Sequence, residues 1–308
     1  MLTRPEQLLL ALIGEAAIGY PAWLLAVIGH PVMWIGAAIT VLERRWNAGI
    51  ALRRRVMGLA LLALVAGGVG AIGWLIENWA RNSLAEVLVI AVAATGLAQR
   101  SLDEHVGAVA RPLLRGDLAE ARAAVAQIVG RDTAGLDEHG IAVAATESLA
   151  ESFCDGIVAP AFWFLVAGLP GLLICKAVNT ADSMIGHRDS RYLHFGWAAA
   201  RTDDLVNFIP ARISGVLVCM VGSGGWPTML RDARHHASPN GGWPEAAMAG
   251  VLGRRLGGTV SYDGEPAHRA WLGDGPAPSA PDLRRALWVY RRACLLMWTM
   301  AGAIAWLL

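Results

Sequence analysis

Residues 56–76 run for 21 positions without a charged side chain, and this run limits the possible folds more than any other feature. A bilayer crossing takes about 20 mostly apolar residues. Inside hydrocarbon the backbone must satisfy its own polar groups, so the run reads as a membrane-spanning helix. Its glycines, Gly67, Gly68, Gly70 and Gly73, would weaken a helix in water but let a second helix come close in a membrane. Just before it, residues 43–55 hold Arg44, Arg45, Arg53, Arg54 and Arg55. By the positive-inside rule that side is cytoplasmic.

Composition agrees. Apolar residues make up 55% of the 308 and charged residues 17%, against about 25% charged in a soluble domain. A chain this apolar cannot stay disordered. A net charge of +1 leaves no basic surplus for nucleic acid, so no nucleic-acid partner is expected. All but one of the 26 basic residues are arginine, Lys176 being the exception. Cys154, Cys175, Cys219 and Cys294 are widely spaced and read as small apolar fillers. The N-terminus lacks a signal-peptide layout, so no removable segment is expected.

Further spans are weaker. Residues 156–175 are uncharged but interrupted by Pro160 and Pro170, and 213–230 end in a glycine-rich helix stop. Residues 8–29 would cross if Glu15 faces protein, while 87–98 and 293–308 are short. The expectation is an all-α polytopic membrane protein with four to six membrane-embedded helices, built as one integral-membrane domain over 1–308. Residues 56–76 then leave the cytoplasm and 84–98 return, which makes 99–155 a polar cytoplasmic segment. A full crossing by 156–175 would place the polar 176–204 outside. The two prolines allow a re-entrant or broken segment with both ends inside, and that reading is favoured. The polar segment 231–292 contains loop clusters, a helix near 245–256, and a small hairpin starting at 259–262 before Asp263-Gly264.

Three polar blocks hold the candidate chemistry. In the first, Glu147 and Glu151 are four apart on a helix, with Asp155 on the same broad face. Three acids with no basic partner in register call for a cation, and magnesium with nucleotide phosphates is one solution. A solvated acidic face is the other, and the two stand equal. In the second block, 176–212, Asp182, Asp203 and Asp204 are the groups for a metal or to orient a nucleophile, with Asn179 three residues from Asp182 and Asn207 three from Asp204. Lys176, Arg188, Arg191, Arg201 and Arg212 supply donors for phosphate. A structural ion-pair network is the alternative, but so many polar groups beside a membrane favour a site. In the third, His235 and His236 are adjacent and do not read as a zinc pair. Ser238-Pro239-Asn240 reads as a helix-capping turn before Glu245, or as amides that receive an anion. No P-loop, GxSxG or HExxH motif occurs, and no GxGxxG follows a strand.

Taken in order, these stretches resemble one family. Val129-Gly-Arg-Asp-Thr133, Glu147-Ser-Leu-Ala-Glu151, Asp155-Gly-Ile-Val-Ala-Pro160, Asn179-Thr-Ala-Asp-Ser-Met184 and Phe195-Gly-Trp197 resemble the integral-membrane adenosylcobinamide-phosphate synthases of cobalamin biosynthesis. Arg201-Thr-Asp-Asp204, Pro210-Ala-Arg212, Ser238-Pro-Asn240, Glu245-Ala-Ala and His30-Pro-Val32 fit the same pattern. Two positions depart from it: Gly19-Tyr-Pro21 stands where the family has Gly-Asp-Pro, and Ser152 where it has Asn.

The resemblance implies an enzyme in the bacterial cytoplasmic (inner) membrane with a cytoplasmic active site. It would join a propionate carboxylate of adenosylcobyric acid to the amine of (R)-1-amino-2-propanol or its O-phosphate, with ATP and magnesium. Under it, Glu147, Glu151 and Asp155, or Asp182 and Asp204, carry magnesium and nucleotide. Lys176, Asn179, Arg191, Arg201, Arg212, Ser238 and Asn240 bind the cofactor phosphates. Asp182, Asp204 and His236 are the candidate catalytic groups. Partners would be the corrinoid, the amine and membrane lipid, with an oligomer allowed. A transporter or a membrane prenyl- or phosphatidyl-transferase is the competing reading. The first would show paired halves, which are not visible, and the second fuller aspartate clusters than Asn179-Thr-Ala-Asp182.

Overall fold

The computed structural model describes residues 2–81, 83–262 and 264–307. In chain order the helices are α1 (Arg4–Ile18), α2 (Ala22–Ile28), α3 (Pro31–Trp46), α4 (Ala51–Ala80), α5 (Glu86–Thr95), α6 (Gln99–Leu114) and α7 (Leu118–Val125). Next come α8 (Glu138–Phe153), a π turn (Cys154–Val158), α9 (Ala159–Ile185), α10 (Trp197–Val206), α11 (Phe208–Gly222) and α12 (Trp226–Asp232). A 3-10 turn (Ala233–His235), α13 (Gly242–Leu252), strands β1 (Leu256–Tyr262) and β2 (Glu265–Leu272), and α14 (Ala280–Leu307) complete the chain. The protein is therefore an all-α polytopic membrane protein with one small antiparallel hairpin. The hairpin begins three residues earlier than expected, and Asp263 of its turn lies outside the described residues.

Among the described residues three stretches are long and apolar enough to cross a membrane: Ala22–Trp46, Ala51–Ala80 and Glu138–Ile185. A fourth counts if α10 and α11 form one bent span. The crossing expected at 8–29 is displaced. Gly19 takes φ 65° and its N–H closes α1 on the Glu15 carbonyl, so the helix stops where Pro21 starts the next. Glu15 is buried, as the expectation required. His30 caps α3, its Nδ1 accepting from the Val32 N–H at 3.2 Å, with Pro31 in the first helical position. Tyr20 donates to the Gly29 carbonyl at 2.7 Å, which gives this departure from the family pattern a structural task.

The chain folds into two compact units. The first comprises Met1–Ala98, Asp155–Asn207 and Met300–Leu308. Its core is formed by Ile35 and Ile39 of α3, Leu61, Leu62 and Val65 of α4, Val178 and Ile185 of α9, and Phe195. Gly70 and Gly73 face α9, where a methyl would lie 2.8 Å from Ile174 and 3.0 Å from the Pro170 nitrogen. Gly58 packs directly on the Phe195 carbonyl, while Gly67 and Gly68 face open space. The expected glycine packing thus belongs to one face of α4. Within α9, Gly168 leaves helical geometry at φ 68°, and Glu77 of α4 accepts the Leu169 N–H at 3.0 Å. The second unit comprises Gln99–Cys154 and Phe208–Thr299. Val143, Ala233, Ala246, Ala249, Leu256 and Leu272 form a buried core beneath its hairpin.

Candidate active site

In the second unit, Asp137 caps α8 by accepting the Gly140 N–H at 2.8 Å, and the helix then carries Glu147 inward. The Glu147 side chain is only 2% exposed. Its Oε2 accepts from Arg131 and from Arg269 Nη1, the latter at 2.9 Å, and its Oε1 accepts the Gly257 N–H at 2.7 Å. Gly257 and Gly258 take φ 92° and 93° where the hairpin register shifts, which aims that N–H at the carboxylate. Glu151, one turn further along α8, is exposed.

Arg269 ties the cluster together. Its Nη2 donates to Glu245 Oε1 at 3.1 Å and lies 2.8 Å from His236 Nε2. Arginine has only donors, so His236 must present a lone pair at Nε2. His236 Nδ1 lies 3.3 Å from the Ser238 carbonyl and 3.1 Å from the Ser238 backbone nitrogen, whose N–H points at it. Burial and the Arg269 charge push the His236 pKa below its ordinary value of 6.5. Burial first, and then the nearby Glu147 carboxylate, push Glu245 well above its ordinary 4.5. Of these two groups, Glu245 is therefore the one that holds a proton more readily than usual.

The Ser238-Pro239-Asn240 turn caps the approach to α13. Ser238 Oγ accepts the N–H groups of Asn240 and Gly241, each at 3.2 Å. Asn240 Oδ1 accepts from Arg212 Nη1 at 2.9 Å. The Arg212 guanidinium lies 3.7 Å from the Phe208 ring centre and 4.8 Å from that of Trp243.

The first unit holds a different polar cluster. Lys176, Asn179 and Asp182 lie on the later half of α9, and Asp155 lies on the π turn. Asn179 Nδ2 donates to Asp155 Oδ2 at 3.3 Å. On α10, Asp203 Oδ2 accepts from Asn207 Nδ2 at 3.0 Å, while Asp203 Oδ1 and Asn207 Oδ1 are buried without a hydrogen-bond partner. Asp182 and Asp204 lie within electrostatic reach of Asp203. Lys176 lies within reach of Asp155 and Asp203. Arg201 pairs with Asp204 at 3.3 Å from an exposed position.

Arg191 joins neither cluster. It forms a two-pronged pair with Glu43, both contacts at 3.1 Å, on the wall of a cavity of about 470 Å³. The acidic trio Glu147, Glu151 and Asp155 is also divided. Arginines hold Glu147, and Asn179 holds Asp155. The absence of a basic partner for Glu147 was true only of its own helix. Arg131 and Arg269 come from 16 residues before it and 122 after. Among the described residues, no group of three His, Cys, Asp or Glu side chains is arranged to hold a metal ion. Magnesium would thus be held by one or two carboxylates, with phosphates completing the shell. Arg269 carried no signal in the sequence, because its inward position depends on the hairpin register.

The sequence pattern of the CobD/Cbib protein family matches residues 8–290. The chain belongs to the CobD/Cbib family. The cobalamin biosynthesis protein CobD of Rhodobacter capsulatus is 49% identical over 296 residues, covering 94% of both chains. CobD of Geobacter metallireducens is 46% identical over 280 residues, covering 88% of this chain and 86% of that one. CobD of Rhizobium meliloti is 43% identical over 316 residues, covering 97% and 95%. No solved structure matches. As a CobD/Cbib protein the chain has a role in cobalamin biosynthesis. Arg131, Glu147, His236 and Glu245 all fall within the span that the family pattern matches.

Proposed function

We propose that this protein catalyses the ATP-dependent joining of an adenosylcobyric acid propionate to (R)-1-amino-2-propanol or its O-phosphate. The reaction would take place at the cytoplasmic face of the bacterial inner membrane. One observation carries the reading beyond family membership. His236, Glu245, Glu147 and Arg131, from separate stretches of the chain, converge with Arg269 in one buried polar cluster. Burial of so many ionisable groups is costly for a merely structural element and suits a site that handles charge.

Condensing a carboxylate with an amine is uphill in water; transfer of the ATP γ-phosphoryl group to the carboxylate, with release of ADP, would activate it as an acyl phosphate, from which the amine would displace phosphate. In the second unit, His236 receives the proton that the ammonium group must lose before attack, at Nε2 once Arg269 turns from it to the substrate. Arg269 and Arg131 stabilise the negative charge that develops on the carbonyl oxygen. Asn240, in the turn that Ser238 closes, holds Arg212 as a phosphate clamp, backed by its two aromatic neighbours. In the first unit, Asp203 with one of Asp182 and Asp204 would hold magnesium, and Lys176, Asn179 and Arg201 the nucleotide phosphates. The unpartnered Asp203 Oδ1 supports this choice over Glu147, whose two oxygens already accept three donors.

The test incubates purified protein with adenosylcobyric acid, magnesium-ATP and each amine in turn. A product with the mass of the amide, formed only with ATP, supports the reading and identifies the amine. ATP-independent uptake into vesicles, or a lipid-linked product, would replace it.

A further inference from the structure

The cavity bearing Arg191 lies in the first unit, at the corner where α3 ends and α4 begins. These helices end two candidate spans, Ala22–Trp46 and Ala51–Ala80, so the corner stands at a membrane boundary. Arg44, Arg54 and Arg191 line the cavity against a single carboxylate, Glu43. Glu43 is occupied by Arg191 and by Asn47 Nδ2, the latter at 2.9 Å. Arg54 is fixed in place, its Nε donating to Asn47 Oδ1 at 2.8 Å and its Nη2 to the Arg191 carbonyl. Among the described residues Arg44 donates no hydrogen bond, and it acts on Glu43 through its charge alone.

A second observation points the same way. α4 starts at this wall with no side chain capping it, leaving its first N–H groups unsatisfied. That end already carries the positive pole of a 30-residue helix, and Arg53, Arg54 and Arg55 follow at once. Cations at a helix N-terminus oppose the macrodipole. An anion in the cavity lies near that positive pole and meets arginine side chains.

We infer that this cavity binds a phosphate-bearing anion, separately from the ligation site. Arg44 would supply the free donor, with Arg54 and Arg191 as the fixed wall. The phosphate could come from a lipid headgroup or from a soluble phosphate, and the test separates these sources. The full chain is placed in phosphatidylcholine nanodiscs. Inorganic phosphate is titrated in one arm, and a fraction of the lipid is replaced by phosphatidylglycerol in the other. Native mass spectrometry reads retained lipid, and the melting midpoint reads phosphate binding. Arg44→Gln, which removes no internal bond, is expected to weaken retention about tenfold, the loss of one charge-assisted hydrogen bond. Loss in the lipid arm assigns a headgroup, and loss in the phosphate arm assigns a soluble phosphate. Binding in neither arm, or equal binding by wild type and Arg44→Gln, overturns the inference. Because neither arm contains corrinoid or ATP, failure here leaves the ligation reading intact.

Discussion

Arg269 Nη1 lies 2.9 Å from Glu147 Oε2, although the two residues stand 122 positions apart in the chain. The contact joins the hairpin to α8 within the second unit, and the same guanidinium also serves Glu245 and His236.

Removing that guanidinium leaves carboxylates buried with less compensation. Arg269→Ala is expected to cost about 3 kcal/mol, the lower end for a broken buried pair, because Arg131 still holds Glu147. Thermal unfolding in detergent measures it. An unchanged melting midpoint would remove Arg269 from its central place.

Glu245 gives the second unit a pH dependence of definite sign. Below its ordinary 4.5 both folded and unfolded chains carry the proton, and burial exacts no electrostatic penalty. As pH rises above 4.5 the unfolded chain ionises first, so stability falls until the folded group also ionises. Glu245→Gln has no such titration. Wild type should therefore lose stability relative to this variant between pH 4.5 and neutrality, read as the difference between their melting curves.

His236 shifts in the opposite direction. Its lowered pKa keeps the ring neutral below pH 6.5, so the acid limb of amide formation attributable to it should begin beneath that value. His236→Gln should reduce turnover by about 10²–10⁴-fold. An acid limb centred above 6.5 in wild type would show that another group takes the proton.

Asp182→Asn and Asp204→Asn are expected to abolish product formation while the protein remains in the membrane. Mass spectrometry of product and blotting of the membrane fraction measure the two outcomes. Wild-type turnover in both variants would reject the first-unit assignment.

Gly58→Ala tests the packing of α4. The added methyl would meet the Phe195 carbonyl, a backbone atom with little freedom to give. The expected cost is about 1–3 kcal/mol, whereas Gly67→Ala, facing open space, should be nearly neutral. Equal melting midpoints for the two variants would contradict this packing.

The membrane class and the α4 crossing were legible because an uncharged run with arginines before it has few alternatives. The split at Gly19 was harder to see, since an apolar helix and an apolar turn share one composition. Motif order exposed the family and took in Glu147 and Glu245, while His236 stood out by its residue type. It did not expose their mutual geometry. Arg269 sits in a strand where every second side chain turns inward, and only the pairing with β1 decides which ones. The arginines that neutralise Glu147 lie too far away in sequence for any helical spacing rule to find them. Charge and the family resemblance mark Arg191 as a phosphate donor, whereas its partner Glu43 lies 148 residues earlier, beyond any local pattern.

The break at Gly168 has a mechanical consequence. Glu77 fixes the start of the later half of α9, so Lys176, Asn179 and Asp182 are indexed to α4 rather than to the helix that precedes them. A residue inserted upstream of the break would be absorbed there, leaving those three side chains aimed as before. The same residue inserted between Pro170 and Lys176 would swing all three around the helix axis by about 100°. Gly168 thus works as the zero mark of a ruler on which the polar groups of the first unit are laid out.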